Sequence, residues 1–460
     1  MTAPVVLRAS RPSERTSVDF CHVASSADAS QRTAHRTVPW PLRAVVVAIL
    51  WCSSVGADTV ASFAGTPGAA GAFQDATGAA ARFNRPVGLA LAANGDLFVG
   101  DDWNQRVRKI ASGGVVSTFA GSGGQGSFNA AAASSTFYGP ANVAYVDGSS
   151  TLYISDYHND VIRRAVGGIV TTFAGVVGAA LNTDGTGTTS ARLAAPSGIV
   201  YNSALASLFF VQEAGHNVRR CTVPGAVVTT FAGSTALVSG FNNALGTAAR
   251  FDTPTALGFS SSGDVYVTDY SNNRVRKVTS GADVTTFVGQ AAAGLVDGNP
   301  GKLFGPCGVV VTPGNVVYIA DRQNHAIRKS PTGAPSLTTV AGVFPPGAAA
   351  SGTADGAGGT ARFNQPMGLA LSPTGAIYIA EASNNAIRIL IPSGCCATTT
   401  TTTTPTASPT TTATTTPTAS PTTTATTTPT ATATTTPTAS PTTTATTTPT
   451  ASPTPTATTT

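Results

Sequence analysis

The stretch at residues 81–121, ARFNRPVGLALAANGDLFVGDDWNQRVRKIASGGVVSTFAG, has a skeleton that returns five more times before the sequence becomes a threonine–proline tail. The prolines opening the copies are Pro86, Pro140, Pro196, Pro254, Pro306 and Pro366, spaced by 54, 56, 58, 52 and 60 residues. A T-F-A-G-like end closes the first five copies at Phe119, Phe173, Phe231, Phe287 and Val340. It also stands alone at Phe63, in VASFAG, with no complete copy before it. Such a period marks an architecture in which one unit cannot bury its own apolar faces and neighbours must stack.

Each copy reads as four short strands. In the first, Val87 to Leu91 is an apolar run, Asn94-Gly95 is a hairpin turn, and Asp96 to Gly100 alternates apolar and polar residues. Trp103-Asn104-Gln105 makes a second turn, Arg106 to Ile110 alternates again, and Gly113-Gly114 precedes a last run from Val115 to Ala120. A glycine- and alanine-rich loop of about twenty residues then leads to the next proline, a length usually tied to function. β-Branched residues and glycines are dense and no window keeps a 3.6-residue period, which leaves a helical repeat as the weak alternative. The expected fold is all-β: a six-bladed propeller of four-stranded antiparallel blades. The sixth copy stops at Pro392 without its fourth strand, and the leading VASFAG at Val60 to Gly65 is expected to supply it and close the ring.

Beyond this pattern, the P-x-G-L-A opening and an Asn-x-x-Ile-Arg-Lys-like segment after a strand ending in an acid resemble NHL repeats. The segments are NQRVRKI from Asn104, NDVIRR from Asn159, NNRVRKV from Asn272, NHAIRK from Asn324 and NNAIRIL from Asn384. The third copy departs, with GHNVRRC from Gly215 read as one residue short in its turn. The resemblance covers residues 58–393 and implies a six-bladed propeller, in agreement with the strand count.

Three regions are expected. Residues 1–57 form a leader whose apolar run, AVVVAILWC at 44–52, is too short for a membrane span of about 20 residues but fits a signal-peptide core. Val55 and Ala57 suit cleavage and set a mature start near Asp58, with a retained signal anchor as the alternative. Residues 58–396 form the propeller. Residues 397–460 contain only Thr, Pro, Ala and Ser, cannot offset their ordering entropy, and read as an extended, O-glycosylated low-complexity stalk. The expected location is extracellular or at the cell surface, with no transmembrane helix after signal removal.

The chain carries 26 basic and 21 acidic residues. The leader holds Arg8, Arg11, Arg15, Arg32, Arg36 and Arg43, with Glu14, Asp19 and Asp28. Taking these away leaves 20 basic and 18 acidic residues, and a propeller so near neutral lacks the electrostatic footprint of nucleic-acid binding. Of the six cysteines, Cys21 and Cys52 lie in the leader. Cys221 and Cys307 read as small buried side chains, and Cys395 or Cys396 is a candidate for an intermolecular disulfide. No cysteine–histidine spacing points to a metal, and no cofactor is expected.

The most regular charged pattern is an acid seven residues before an arginine: Asp101/Arg108, Asp156/Arg163, Asp269/Arg276, Asp321/Arg328 and Glu381/Arg388. In the third copy Glu213 and Arg219 are six apart. A site used once does not need six copies, so these pairs read as scaffold, as do the turn-forming Asp75, Asp184, Asp297 and Asp355. Ligand-binding candidates come from second-turn residues that differ between copies: Trp103, Asn104, Gln105, Tyr157, His158, His216, Tyr270, Asn272, Arg322, Asn324 and His325. A rim of aromatics and amides suits a protein or glycan partner. The leading expectation is a secreted binding module. The alternatives are a propeller hydrolase or lyase using His158, His216 and His325 on a metal, and a structural adhesion or wall protein.

Overall fold

The computed structural model describes residues 57–342 and 351–394; the apolar run at 44–52 expected as a signal-peptide core, Cys395, Cys396 and the Thr/Pro tail lie outside the described residues. Six antiparallel sheets form the blades of a propeller. Blade one runs outward from the axis through Pro86–Leu91, Leu97–Asp101, Arg106–Ile110 and Val115–Ala120. The other blades start at Pro140, Pro196, Pro254, Pro306 and Pro366.

The leading segment Thr59–Ala64 lies antiparallel to Ala386–Ile391 as the fourth strand of blade six, with Thr59 opposite Ile391 and Val60 opposite Leu390. The innermost strands of blades six and one are then neighbours, and the ring is closed. One feature had no sequence signal. In blades one, two, three and six a two-residue strand from the preceding loop adds to the outer edge, as where Ala76 and Thr77 pair with Val116 and Val115. These short additions cover edges that would otherwise be open to pairing.

Among the described residues the apolar core is divided into six clusters, each between two adjacent blades, and a small seventh beside the axis. Between blades six and one, Ala64, Phe83, Leu89, Val99 and Ile387 pack together, so the closing strand contributes to the core as well as to the sheet. The Pro-x-Gly opening has a steric cause. A Cβ on Gly368 would collide with the Val87 carbonyl oxygen, and one on Gly308 with that of Met367. Glycine there lets the innermost strands converge around the axis.

Val60 is almost fully buried between Tyr318, Phe363 and Leu390. Val60→Asp places an unpaired carboxylate in that cluster and is expected to cost about 3–5 kcal/mol. Denaturant unfolding measures the loss; an unchanged midpoint would show that the closing strand is dispensable.

Candidate functional site

The polar groups on the face carrying the second turns and inter-blade loops fall into two sets. The first is scaffold. Arg108, Arg163, Arg219, Arg276, Arg328 and Arg388 are all completely buried. Arg108 shows the pattern: Nη1 donates to Asp101 at 2.8 Å and to the Arg82 carbonyl at 2.9 Å, and Nη2 donates to the Gln74 carbonyl at 2.9 Å and to Asp75. Asp101 also accepts from the Asn84 backbone N–H at 2.8 Å and from Asn104 Nδ2 at 2.8 Å. Asn104 also donates to the Ala72 carbonyl of the loop at 2.8 Å. Burial is the largest influence on these carboxyls and outweighs the arginine, pushing Asp101, Asp269 and Asp321 up to about 6 and Glu381 to about 7.

Blade three corrects the sequence reading. Its turn has full length, since Gln212 pairs with Asn217 as Asp101 pairs with Arg106. Gln212 therefore holds the acid position and accepts from Arg219 at 3.2 Å, while Asp184 takes the other nitrogen at 2.9 Å. Glu213 is not the partner of Arg219. It lies one residue further on and turns toward the axis.

A second element of scaffold joins neighbouring blades. The last residue of each second turn has positive φ, between 53° and 58° for Gln105, Asp160, His216, Asn273, His325 and Asn385. Each of these side chains accepts from the backbone N–H just before the next blade's opening proline. Gln105 takes Gly139 at 2.8 Å, His216 Nδ1 takes Thr253 at 3.2 Å, and His325 Nδ1 takes Gln365 at 3.1 Å. Asn385 takes Arg85 at 2.9 Å and completes the circle. Among the sequence-predicted rim residues, then, Asn104, Asn272 and Asn324 bind loop carbonyls, and Gln105, His216 and His325 staple blades together. His158 packs on Tyr138 and Tyr157, with ring centroids 4.6 and 4.8 Å away. Among the described residues no three His, Cys, Asp or Glu side chains are grouped to hold a metal ion. Cys221 and Cys307 are unpaired and buried, their thiols pushed up by burial to about 12 and about 11.

The second set surrounds the axis. The residue after each strand-ending acid or amide is Asp102, Tyr157, Glu213, Tyr270, Arg322 and Ala382. The Tyr157 hydroxyl donates to Glu213 Oε2 at 3.0 Å, and Arg85 pairs with Asp102. Arg322 donates to Gln365 Oε1 at 3.0 Å and lies over the Tyr270 ring at 5.8 Å. Gln323 donates to the Tyr270 hydroxyl at 2.8 Å. Burial raises the Glu213 carboxyl above the ordinary glutamate value; Ser197, Tyr157, Arg85 and Arg322 oppose it. Burial and the Glu213 charge push the Tyr157 phenol up as well. Trp103 is 63% exposed on the rim, with the Arg85 guanidinium 5.6 Å from its ring. Sequence reasoning found Tyr157, Tyr270 and Arg322 but missed Arg85, Asp102 and the axial place of Glu213. The signal was the variation at the position after the strand-ending acid.

Two segments, residues 83–110 and 251–278, match the NHL repeat family. A curated relative, Protein SUPPRESSOR OF QUENCHING 1, chloroplastic, of Arabidopsis thaliana, is 28% identical over 272 residues. The match takes in 56% of this chain and 26% of that protein, so the chain spans about a quarter of its relative's length. Among solved structures, a protein of unknown function from Bacteroides thetaiotaomicron is similar at TM-score 0.56 and 21% identity, over 73% of this chain and 76% of that one. An auxiliary nutrient binding protein from the same species is similar at TM-score 0.55 and 17% identity, over 73% and 76%. At these identities the likeness is one of fold.

Two outcomes follow from the geometry. Arg276→Leu strands a buried carboxylate and is expected to cost about 3–5 kcal/mol. Arg219→Leu leaves a neutral Gln212 and a half-exposed Asp184, so its loss is smaller; equal losses by chemical denaturation would refute the distinction. Because the folded protein holds the Glu213 proton more tightly than the unfolded chain, ionising Glu213 destabilises the fold. Stability from this group is highest below the ordinary glutamate pKa of about 4.3 and falls as pH rises through the raised value. The melting temperature of the wild type relative to Glu213→Gln should therefore decline with pH, and a flat difference in parallel scans would contradict it.

Proposed function

The chain is an NHL-repeat six-bladed β-propeller, and on that premise we propose that it is a ligand-binding module holding a protein or glycan on the face of the second turns and inter-blade loops. The observation that carries this is the ring Asp102, Tyr157, Glu213, Tyr270 and Arg322. Neighbouring positions in every blade repeat because the scaffold needs them, whereas these take four residue types in five blades. Burying Glu213 costs the fold stability, and local costs of this kind concentrate at functional sites. The rim adds exposed aromatics suited to contact: Trp103, Phe128 and Tyr138.

We read the leader's signal-like run as supporting a position outside the cell or on its surface, with the Thr/Pro tail as a stalk. Among the described residues no helix is long and apolar enough to cross a membrane. The printed description of one fold neighbour as an auxiliary nutrient binding protein is consistent with a binding role.

The test presents the full chain to glycan arrays and to extracellular proteins. We expect retention of a ligand from one class, weakened about thirtyfold (about 2 kcal/mol) by Trp103→Ala, as for an aromatic anchor. Absence of any retained ligand together with turnover of an ester or peptide substrate would overturn the binding assignment.

A further inference from the structure

The six innermost strands enclose an axial channel with a volume of about 330 Å³, at the lower end of the roughly 300–1,000 Å³ of ligand pockets. Its wall is divided. Blades two, three and four present Asn142, Ser197, Glu213 and Thr255, while blades five, six and one present Cys307, Met367 and Val87. The apolar arc is a packed group, with Val87, Cys307, Met367 and Ala382 all buried against one another and Tyr270 beside them. Two members of the polar arc are also tied into the scaffold: Ser197 Oγ donates to the Thr255 carbonyl at 3.2 Å, and Thr255 Oγ1 reaches the Pro306 and Cys307 carbonyls at 3.2 Å. Hydrogen-bonding capacity remains on the polar arc: Asn142 Oδ1 accepts its neighbour Val143 N–H at 2.8 Å, which leaves the amide NH₂ for a ligand. At the mouth, Arg85 and Arg322 stand against the carboxyls of Asp102 and Glu213, whose hold on a proton burial strengthens. A hydroxyl, both donor and acceptor, fits every group on the arc.

We propose that the channel holds a single uncharged sugar ring, its hydroxyls on Asn142, Ser197, Glu213 and Thr255 and its C–H face against Val87 and Met367. This assignment rests on the ligand-binding reading above and names the ligand class of its axial part. A pyranose carries hydroxyls around its ring edge and C–H groups on its faces, so it can turn a hydroxyl edge to the polar arc and a C–H face to the apolar one.

Calorimetric titration of the full chain with a panel of methyl hexopyranosides and pentopyranosides tests it. At least one glycoside should bind with one site per chain, and Glu213→Gln should weaken it about tenfold, as turning a carboxyl oxygen acceptor into an amide donor does. Met367→Phe, which narrows the channel, should abolish binding. Ser197→Ala, which removes a hydroxyl without adding bulk, replaces it as the probe should Met367→Phe fail to fold, and should weaken binding. Melting curves check that each variant is folded. The proposal is overturned when no glycoside binds the wild type, or when binding survives unchanged in these variants. A larger ligand held by a Trp103-dependent rim, with no glycoside in the channel, would leave the face reading standing and remove this one.

Discussion

Six buried guanidinium groups organise the molecule. Each arginine links three stretches of chain that are far apart in sequence: its own second turn through an acid or amide, the segment before its blade's first strand, and the inter-blade loop. A buried charge is tolerated only when its counter-charge and remaining donors are matched, and the planar fork of arginine meets several fixed acceptors at once. The long loops would otherwise have little to hold them, being built of glycine, alanine and small polar residues. Asp75, Asn129, Asp184, Asn243, Asp297 and Asp355 are the side chains by which each loop reaches its arginine.

The site depends on that lattice. The acid or glutamine is gripped by the arginine and, in five blades, by an asparagine three residues on, which ties down the intervening second turn. The residue just after the strand-ending position is thereby aimed at the axis, and its identity is left unconstrained by the scaffold. Six such positions, one from each blade, make a mouth of two carboxyls, two phenols, a guanidinium and the Ala382 methyl. Inter-blade staples from Gln105, Asp160, His216, Asn273, His325 and Asn385 hold the backbone just before each opening proline. Arg85 and Gln365, which reach into the mouth, are two of the residues so held.

The repeat, its four-strand unit, the count of six and the borrowed closing strand were all legible in the residues. Strand alternation, turn dipeptides and a period near 55 residues allow few other ways to bury the apolar faces. The acid–arginine pairs were legible for the same reason: a demand met six times leaves six copies of its solution. Blade three misled because a glutamine in the acid position does not look like an acid, so the count began at Glu213 and a full-length turn seemed short. Only the pairing of Gln212 with Asn217 shows the register.

Local pattern and repetition therefore determined the blades and their number, since these depend on contacts within about fifty residues of chain. The mouth and channel were decided by the tertiary structure alone. Their groups come from all six blades, and no sequence period reveals which singular side chains face one another across an axis. Tyr157 and Glu213 are 56 residues apart in sequence and 3.0 Å apart in space, because closure of the ring carries each blade's one irregular residue to the same point.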